Sequence, residues 1–207
     1  MNAPSVSSVP QRRARERSAR REAILAAAER VVIARGFAEA SIDAIAGEAG
    51  LAAGTVYLYF PNRDALLQDL LSAKVRLLNE AVAARMGAGA EFARQVPEVV
   101  RAMFRHFEEQ RGFFEIFVRE RMELSRGTGP GADVLREIEA GTARMARWIA
   151  SAQRARVVPA GNPRHLATAL RGLVFQFTRD WLRAGGRGRL SPRTAFVVQF
   201  FLKGAGV

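Results

Sequence analysis

The chain has 207 residues, of which 49% are hydrophobic, and it carries a formal net charge of +12 at pH 7. It has no apolar run of about 18 residues or more, so no transmembrane helix is predicted, and its N-terminus lacks the apolar core of a signal peptide. It contains no cysteine, which excludes a disulfide framework and thiolate chemistry. We therefore expect a soluble cytoplasmic protein that needs no cofactor.

The positive charge lies mainly at the two ends of the chain. Residues 1–40 carry a net charge of +4, residues 41–153 carry −1 and residues 154–207 carry +9. Neutralisation of phosphates drives DNA affinity and explains the first block if this end binds DNA. The last block has two interpretations, an attraction for an anionic effector or a basic exterior, and we favour the second.

The N-terminal segment is polar and arginine-rich. Residues 1–17 are predicted to be a disordered arm because they are rich in Pro, Ser and Arg. The first helix is predicted over about residues 18–35, with Ile24, Ala28 and Val31 on its apolar face. The arginines of the arm and of the start of this helix are Arg12, Arg13, Arg15, Arg17, Arg20 and Arg21.

Residues 41–67 predict two short helices joined by a tight turn, followed at once by the start of a further helix. The apolar face of the first short helix has the spacing i, i+3, i+4, i+7 and consists of Ile42, Ile45, Ala46 and Ala49. Gly50 stands where this helix must end with a positive φ, which glycine adopts at little steric cost. The second short helix is predicted over residues 52–59. This pattern is a helix-turn-helix, whose second helix enters the DNA major groove.

The same residues resemble a known family. The resemblance rests on Ile45-Ala46, Ala49-Gly50, Gly54-Thr55-Val56-Tyr57, Tyr59-Phe60 and Leu66, which look like the signature of TetR/AcrR-family transcriptional regulators. One departure is Ala52, where the family usually has serine or threonine. Loss of that side-chain cap costs about 1 kcal/mol of helix stability.

The resemblance implies a set of DNA-contacting residues. It consists of Ala53, Gly54, Thr55 and Tyr57, which would read bases, and of Tyr59 and Arg63, which are directed towards phosphates. Arg20 and Ala52 complete the candidate DNA-binding residues. No Arg, Lys, Asn or Gln lies between Ala52 and Tyr59, so we expect specificity to come largely from apolar contacts and DNA shape. The arginine arm either enters a narrow minor groove or attracts DNA without specificity.

The rest of the chain is predicted to be helical, with no alternating strand pattern. The remaining helices are predicted over about residues 62–86, 91–110, 113–124, 132–156, 164–184 and 192–203. Asn62 is predicted to cap the first of them and Ser191 the last, with Pro192 at its first helical position. Residues 127–131 are predicted to form a loop.

The expected architecture is therefore all-α with about nine helices in three parts. These are the arm 1–17, a three-helix DNA-binding domain at 18–61 and a larger effector-binding and dimerisation domain at 62–207. The resemblance implies that the larger domain binds a small molecule and pairs with a second copy. The candidate effector-pocket residues are Phe104, Phe107, Phe117, Met145, Trp148 and Phe175. The candidate dimer-interface residues are Leu170, Val174, Phe177, Trp181, Phe196 and Phe200. Each of these residues could instead be ordinary core.

These features favour a regulator of the TetR type, a repressor that leaves a palindromic operator when a small apolar or aromatic effector binds. An enzyme is disfavoured because the two histidines, His106 and His165, are far apart, and no phosphate-binding loop or metal-ligand spacing is present. Two alternatives stay open. The chain could bind DNA without any effector, and the sequence does not separate a repressor from an activator.

Overall fold

A computed structural model of the protein describes residues 9–119 and 132–206. Over these residues the fold is all-α with nine α-helices and no strand, which confirms the predicted fold class. The helices are α1 (Val9–Arg35), α2 (Ile42–Ala49), α3 (Ala53–Tyr57), α4 (Arg63–Ala83), α5 (Phe92–Glu109), α6 (Arg111–Arg119), α7 (Ala132–Arg154), α8 (Pro163–Arg183) and α9 (Thr194–Ala205). The predicted loop at 127–131 and the end of the helix predicted over 113–124 lie outside the described residues.

The chain divides into two compact units, Met1–Leu70 and Leu71–Val207. The division falls within α4, whereas the sequence placed it after residue 61. It falls later because the first two turns of α4 carry Leu66, Leu67 and Leu70, which are all buried and belong to the first unit.

Helix α1 starts at Val9, so the predicted disorder of residues 9–17 is wrong. Their composition explains the error, because Arg, Ala, Gln and Glu are good helix formers even where no apolar face is present. The charged side chains also have helical spacing, since Nε of Arg12 lies 3.6 Å from Oε1 of Glu16, one helical turn later. Pro10 stands in the first turn, where its missing N–H costs nothing.

The first unit has the core and the caps that its sequence predicts. Ile24, Ala28 and Val31 of α1 are buried, as are Ile42, Ile45 and Ala46 of α2. The hydroxyl of Ser41 accepts a hydrogen bond from the backbone N–H of Ala44 at 3.1 Å and caps α2. Gly50 ends that helix in the left-handed region at φ 67°.

Capping and turn chemistry also sets the start of α4. The side-chain oxygen of Asn62 accepts a hydrogen bond from the backbone N–H of Ala65 at 2.8 Å, as the sequence predicts. The start of α9 differs from the prediction. Ser191–Arg193 forms a 3₁₀ turn before α9, and Ser191 caps no helix there.

In the second unit a glycine permits a close approach of two segments. Gly89 opens a 3₁₀ turn before α5 and lies directly against α7. A Cβ at this position would stand 2.3 Å from the carbonyl carbon of Ser151, which is closer than any packed carbon can come. Nearby, Trp148 of α7 packs on Phe92 with ring centroids 4.4 Å apart. The indole N–H of Trp148 also donates to the side-chain oxygen of Gln95 at 2.9 Å.

Candidate nucleic-acid interface and effector cavity

Helix α3 is the recognition helix of the helix-turn-helix, and burial divides its residues into two sets. Val56 and the following Phe60 are buried and hold the helix on the core of the first unit. Tyr57 and Leu58 face outward, with 54% and 72% of their surface exposed. The outward set is the one that could contact a base edge.

The sequence-predicted DNA residues lie mostly on this accessible side. Arg20, Ala52, Gly54 and Tyr57 are exposed, while Ala53, Thr55, Tyr59 and Arg63 are half-buried. Ala52 occupies the N-cap position of α3 without any side-chain hydrogen bond. The departure seen in the sequence therefore leaves this helix end uncapped by a side chain.

Arg63 is held inside the first unit. Its Nε donates to the carbonyl oxygen of Ala40 at 3.0 Å, and its Nη2 donates to the carbonyl of Phe37. Nη1 lies 3.3 Å from a carboxylate oxygen of Asp64. These bonds anchor the start of α4 to the segment before α2. All three nitrogens of the guanidinium are thus engaged by protein oxygens, and the predicted phosphate contact stays a prediction.

Two arginines of α1 stack on the aromatic residues that follow α3. The guanidinium carbon of Arg17 lies 5.7 Å from the centroid of the Tyr59 ring, and that of Arg21 lies 5.1 Å from the Phe60 ring. Arg21 is also paired with Asp69. The exposed N-terminal part of α1 carries Arg12, Arg13, Arg15, Arg17 and Arg20. The basic segment from Val9 onward is therefore helical and not an extended arm.

Leu58 is a candidate contact residue that the family motif does not single out. It follows Tyr57 and is the most exposed of the large hydrophobic side chains. The spacing of Val56 and Phe60, both buried, could have identified it, since the residue midway between two core positions four apart points away from the core.

The second unit contains a cavity of about 430 Å³, a size typical of small-molecule sites. Its walls come from α4, α5, α6, α7 and α8, and ten of the lining side chains are apolar. These are Leu71, Val75, Leu78, Met103, Phe107, Phe114, Phe117, Val134, Ile138 and Phe175. Thr142, Thr168, Gly172 and Arg171 complete the lining that the described residues provide.

Half of the predicted pocket residues lie at this cavity. Phe107, Phe117 and Phe175 line it. Phe104 and Met145 do not line it, being 1% and 0% exposed in the core. Trp148 is also excluded, because it packs on Phe92 and is bonded to Gln95. Helical spacing gives each aromatic residue an inward direction but does not say which of them border a void.

A buried histidine lies beside this region without lining the cavity. His106 is 6% exposed and packs edge-on against Phe107 and Phe114, at centroid distances of 5.7 and 5.9 Å. Burial, together with the positive charge of Lys74, lowers the pKa of His106 from 6.5 to about 4. His106 is therefore neutral at physiological pH.

The predicted dimer residues divide into core and surface. Leu170, Val174 and Trp181 are at most 4% exposed within one chain, so they are corrected to core residues of the second unit. Phe196 and Phe200 are 56% and 58% exposed. They form an outward aromatic patch with Phe177, whose ring centroid lies 5.7 Å from that of Phe196.

The described residues contain neither a membrane-spanning helix nor a cluster that could hold a metal ion. None of their helices is both long and apolar enough to cross a membrane. Across the same residues, no cluster of three His, Cys, Asp or Glu side chains could hold a metal ion.

Sequence comparison identifies the first unit. Residues 24–70 match the model of the tetR family of bacterial regulatory proteins. The transcriptional regulator EthR of Mycolicibacterium smegmatis is 40% identical over 57 residues. That match covers 28% of this chain and 26% of EthR, so the chain matches about a quarter of that relative's length.

Structural similarity extends over both units. FadR of Bacillus subtilis, solved in complex with stearoyl-CoA, has a TM-score of 0.74 at 18% identity and covers 88% of this chain and 98% of its own. NalD, the secondary repressor of the MexAB-OprM multidrug efflux pump in Pseudomonas aeruginosa, has a TM-score of 0.67 at 23% identity. It covers 91% of this chain and 96% of its own. At these identities the likeness shows a shared fold.

EthR and FadR are transcriptional regulators and NalD is a repressor, in agreement with the regulator class expected from the sequence. The helix-turn-helix signature and the match over residues 24–70 lead to one conclusion. Residues 24–70 form a domain of the tetR family of bacterial regulatory proteins.

Proposed function

We propose that the protein is a cytoplasmic, homodimeric repressor that binds a palindromic operator and leaves it when a small molecule occupies the cavity of the second unit. The observation that carries the proposal is the exposed side of α3, where Tyr57 and Leu58 lie on a helix anchored by Val56 and Phe60. Such a helix can enter a major groove while its buried face keeps its orientation.

The chemistry of the exposed side favours particular contacts. Tyr57 offers a hydroxyl for a base edge, and Leu58 offers an apolar surface for a thymine methyl. Thr55 and Tyr59 are suited to phosphate oxygens. The helical basic segment of α1 adds arginines that neutralise further phosphates and raise the affinity for any duplex.

Two copies related by a two-fold axis would read two half-sites roughly 34–36 Å apart, or at a multiple of that spacing. The aromatic patch of Phe177, Phe196 and Phe200 is the surface proposed to pair with its equivalent in the second copy. Exposed aromatic clusters of this kind are costly in a monomer and are typical of interfaces.

The cavity supports an effector over the alternative of DNA binding without one, because ten apolar side chains surround an open volume of about 430 Å³. Interiors are normally close-packed, so an apolar cavity of this size is a natural place for a small-molecule ligand. The proteins of like fold are consistent with this role, since NalD is a repressor and FadR was solved with stearoyl-CoA bound.

The test is the selection of bound sequences from a random duplex pool at moderate salt, using the full-length protein. A recovered palindrome with a constant half-site spacing would support a sequence-specific dimer and provide the operator probe. Salt-sensitive binding that enriches no motif would contradict the proposal and leave a non-specific DNA-binding protein.

A further inference from the structure

Among the described residues that line the cavity of the second unit, a single one is charged. It is Arg171 of α8, and the other lining side chains are apolar apart from Thr142 and Thr168. A guanidinium in such a place is unfavourable unless something compensates its charge, since removing a charge from water costs several kcal/mol. Its surroundings therefore indicate what a ligand must supply.

The described residues leave one positive charge uncompensated at this position. The carboxylate that interacts electrostatically with Arg171 is that of Glu139 of α7. Both oxygens of Glu139 already accept hydrogen bonds from Arg164, at 2.5 and 2.6 Å. Two guanidinium groups thus share one carboxylate, and within the described residues Arg171 has no ion pair of its own. Burial accordingly lowers the pKa of Arg171 from its ordinary value, although an arginine keeps its charge at neutral pH.

Arg171 is held in place by a buried amide. Asn79 of α4 is 6% exposed, and its side-chain N–H donates to the carbonyl oxygen of Glu137 at 2.7 Å. Its side-chain oxygen is then turned towards Nη1 of Arg171, at 3.5 Å. The asparagine orients the guanidinium, but a neutral acceptor at that distance does not neutralise it.

Helix α7 makes room for this arrangement with a glycine in its interior. A Cβ at Gly141 would lie 2.0 Å from Oδ1 of Asn79 and 2.8 Å from Nη1 of Arg171. Glycine within a helix costs about 1 kcal/mol relative to alanine. Here the missing side chain lets the Asn79 amide and the Arg171 guanidinium pass close to α7. Residues of α4, α7 and α8 together therefore position the guanidinium.

We propose that Arg171 binds the carboxylate of an effector whose apolar alkyl or aryl body fills the rest of the cavity. This inference rests on the proposed function, because it names the chemical class of the effector. Thr168 lies one helical turn before Arg171 on the same face of α8 and also lines the cavity. Its hydroxyl supplies a second donor for the head group.

A carboxylate matches the site better than other anions. Its two oxygens accept parallel hydrogen bonds from a guanidinium, which makes the pair strong and directional. One negative charge also balances the one positive charge available. A phosphate with nearly two negative charges would leave net charge in an apolar cavity, which is strongly disfavoured.

The test compares acids with their own primary amides, which have the same shape but no charge. Octanoate, decanoate and biphenyl-4-carboxylate, each with its amide, are titrated into the full-length protein by calorimetry, together with decanoyl-CoA. We expect at least one acid to bind roughly 10- to 100-fold more tightly than its amide, as for a charge-assisted hydrogen-bonded pair. Alkyl and aryl members of the panel distinguish the two kinds of apolar body.

The variants separate recognition from general electrostatics. Arg171→Gln should remove the preference for acid over amide and leave the amide affinity unchanged. Arg183→Gln, the matched control, removes an exposed arginine from the same helix and should keep the preference. Gly141→Ala should reduce it, because the new methyl group displaces Asn79 and Arg171. Circular dichroism of each variant verifies folding, and the wild-type comparison stands even if a variant does not fold.

Several outcomes would overturn the inference. They are an acid that binds no better than its amide for every pair, a preference that survives in Arg171→Gln, a thioester that binds better than the free acid, or no binding by any compound. Operator binding is measured on the same preparations. Intact operator binding without acid preference overturns this inference alone, whereas acid binding without operator binding overturns the proposed function alone.

Discussion

At the scale of single residues, burial and exposure separate structural from functional side chains that look alike in the sequence. Tyr57 and Phe60 are three positions apart, yet one is 54% exposed and the other 1% exposed. His106 and Arg171 are both ionisable residues of the second unit. The first is kept neutral by burial, while the second stays charged at a cavity wall.

Leu58 should contribute to DNA binding although it carries no polar group. Leu58→Ala removes apolar area that would be buried against DNA, which is worth about 1–2 kcal/mol or roughly 5- to 30-fold in operator affinity. Fluorescence anisotropy with the selected operator measures the effect. Leu77→Ala, an exposed leucine of α4 in the second unit, is the control and should not alter affinity. Equal affinities for all three proteins would remove Leu58 from the interface.

His106 should make the stability of the protein depend on acidity. Its pKa in the fold is about 4, against 6.5 as the ordinary value, so the unfolded chain takes up the proton first as pH falls. The stability of the neutral form is complete above about pH 6.5 and is lost progressively towards pH 4, in total about 3 kcal/mol.

Urea unfolding at several pH values tests this dependence. The difference in unfolding free energy between wild type and His106→Gln should shrink as pH falls from 6.5 to 4, because the variant has no proton to take up. His165→Gln, which removes an exposed histidine, should follow the wild-type pH profile. A difference between wild type and His106→Gln that stays constant with pH would show that folding does not lower the pKa of His106.

At the scale of elements, glycines and aromatic residues determine which helices can approach one another. Gly89 permits the turn before α5 to lie on the backbone of α7, and Gly141 permits α4 and α8 side chains to cross the same helix. The two glycines occupy ordinary positions in the sequence pattern, and only the close approach explains them.

Gly89→Ala should destabilise the second unit. Its Cβ would lie 2.3 Å from the Ser151 backbone, so the turn and α7 must separate. Overpacking of this kind typically costs about 1–3 kcal/mol. Gly161→Ala is a matched control, since its Cβ would meet only the Gln153 side chain at 4.0 Å. Thermal unfolding compares the two, and equal midpoints would mean that the α5–α7 junction relaxes at no cost.

The exposed aromatic patch on α8 and α9 should hold the dimer. Phe200→Arg places a positive charge among Phe177, Phe196 and their partners, where burial of unpaired charge is strongly unfavourable. We expect a shift from dimer to monomer in sedimentation velocity, with weaker operator binding. Leu135→Arg makes the same change at an exposed leucine of α7 and should leave the dimer intact. A Phe200→Arg protein that stays dimeric places the interface elsewhere.

At the scale of the whole molecule, the proposed function requires an energetic coupling between the two units. An effector that favours the state with low DNA affinity by about 1–3 kcal/mol weakens operator binding roughly 5- to 150-fold. Linkage then requires that operator DNA weaken effector binding by the same factor. Calorimetric titration of the effector with and without operator measures this factor, and a compound that lacks the reciprocity is not an allosteric inducer.

Much of this protein was predictable because local chemistry and periodicity determine it. The helix-turn-helix, its capping by Ser41, the left-handed Gly50 and the all-α fold follow from side chains that interact within a few residues. The error at residues 9–17 has the same origin, since the predicted disorder weighed polarity above helix propensity.

Only the tertiary structure decides the properties that depend on contacts between residues distant in the chain. Periodicity directs Phe104, Met145 and Phe175 inward alike, but only the packing of five helices determines that Phe175 borders a void and the other two do not. The same holds for Arg63, whose partners are backbone carbonyls more than twenty positions earlier. It holds also for Arg171, which has no ion pair of its own within the described residues because Arg164 already binds both oxygens of Glu139. A sequence specifies which groups exist and which way they face locally, whereas competition for partners is settled only when distant segments meet.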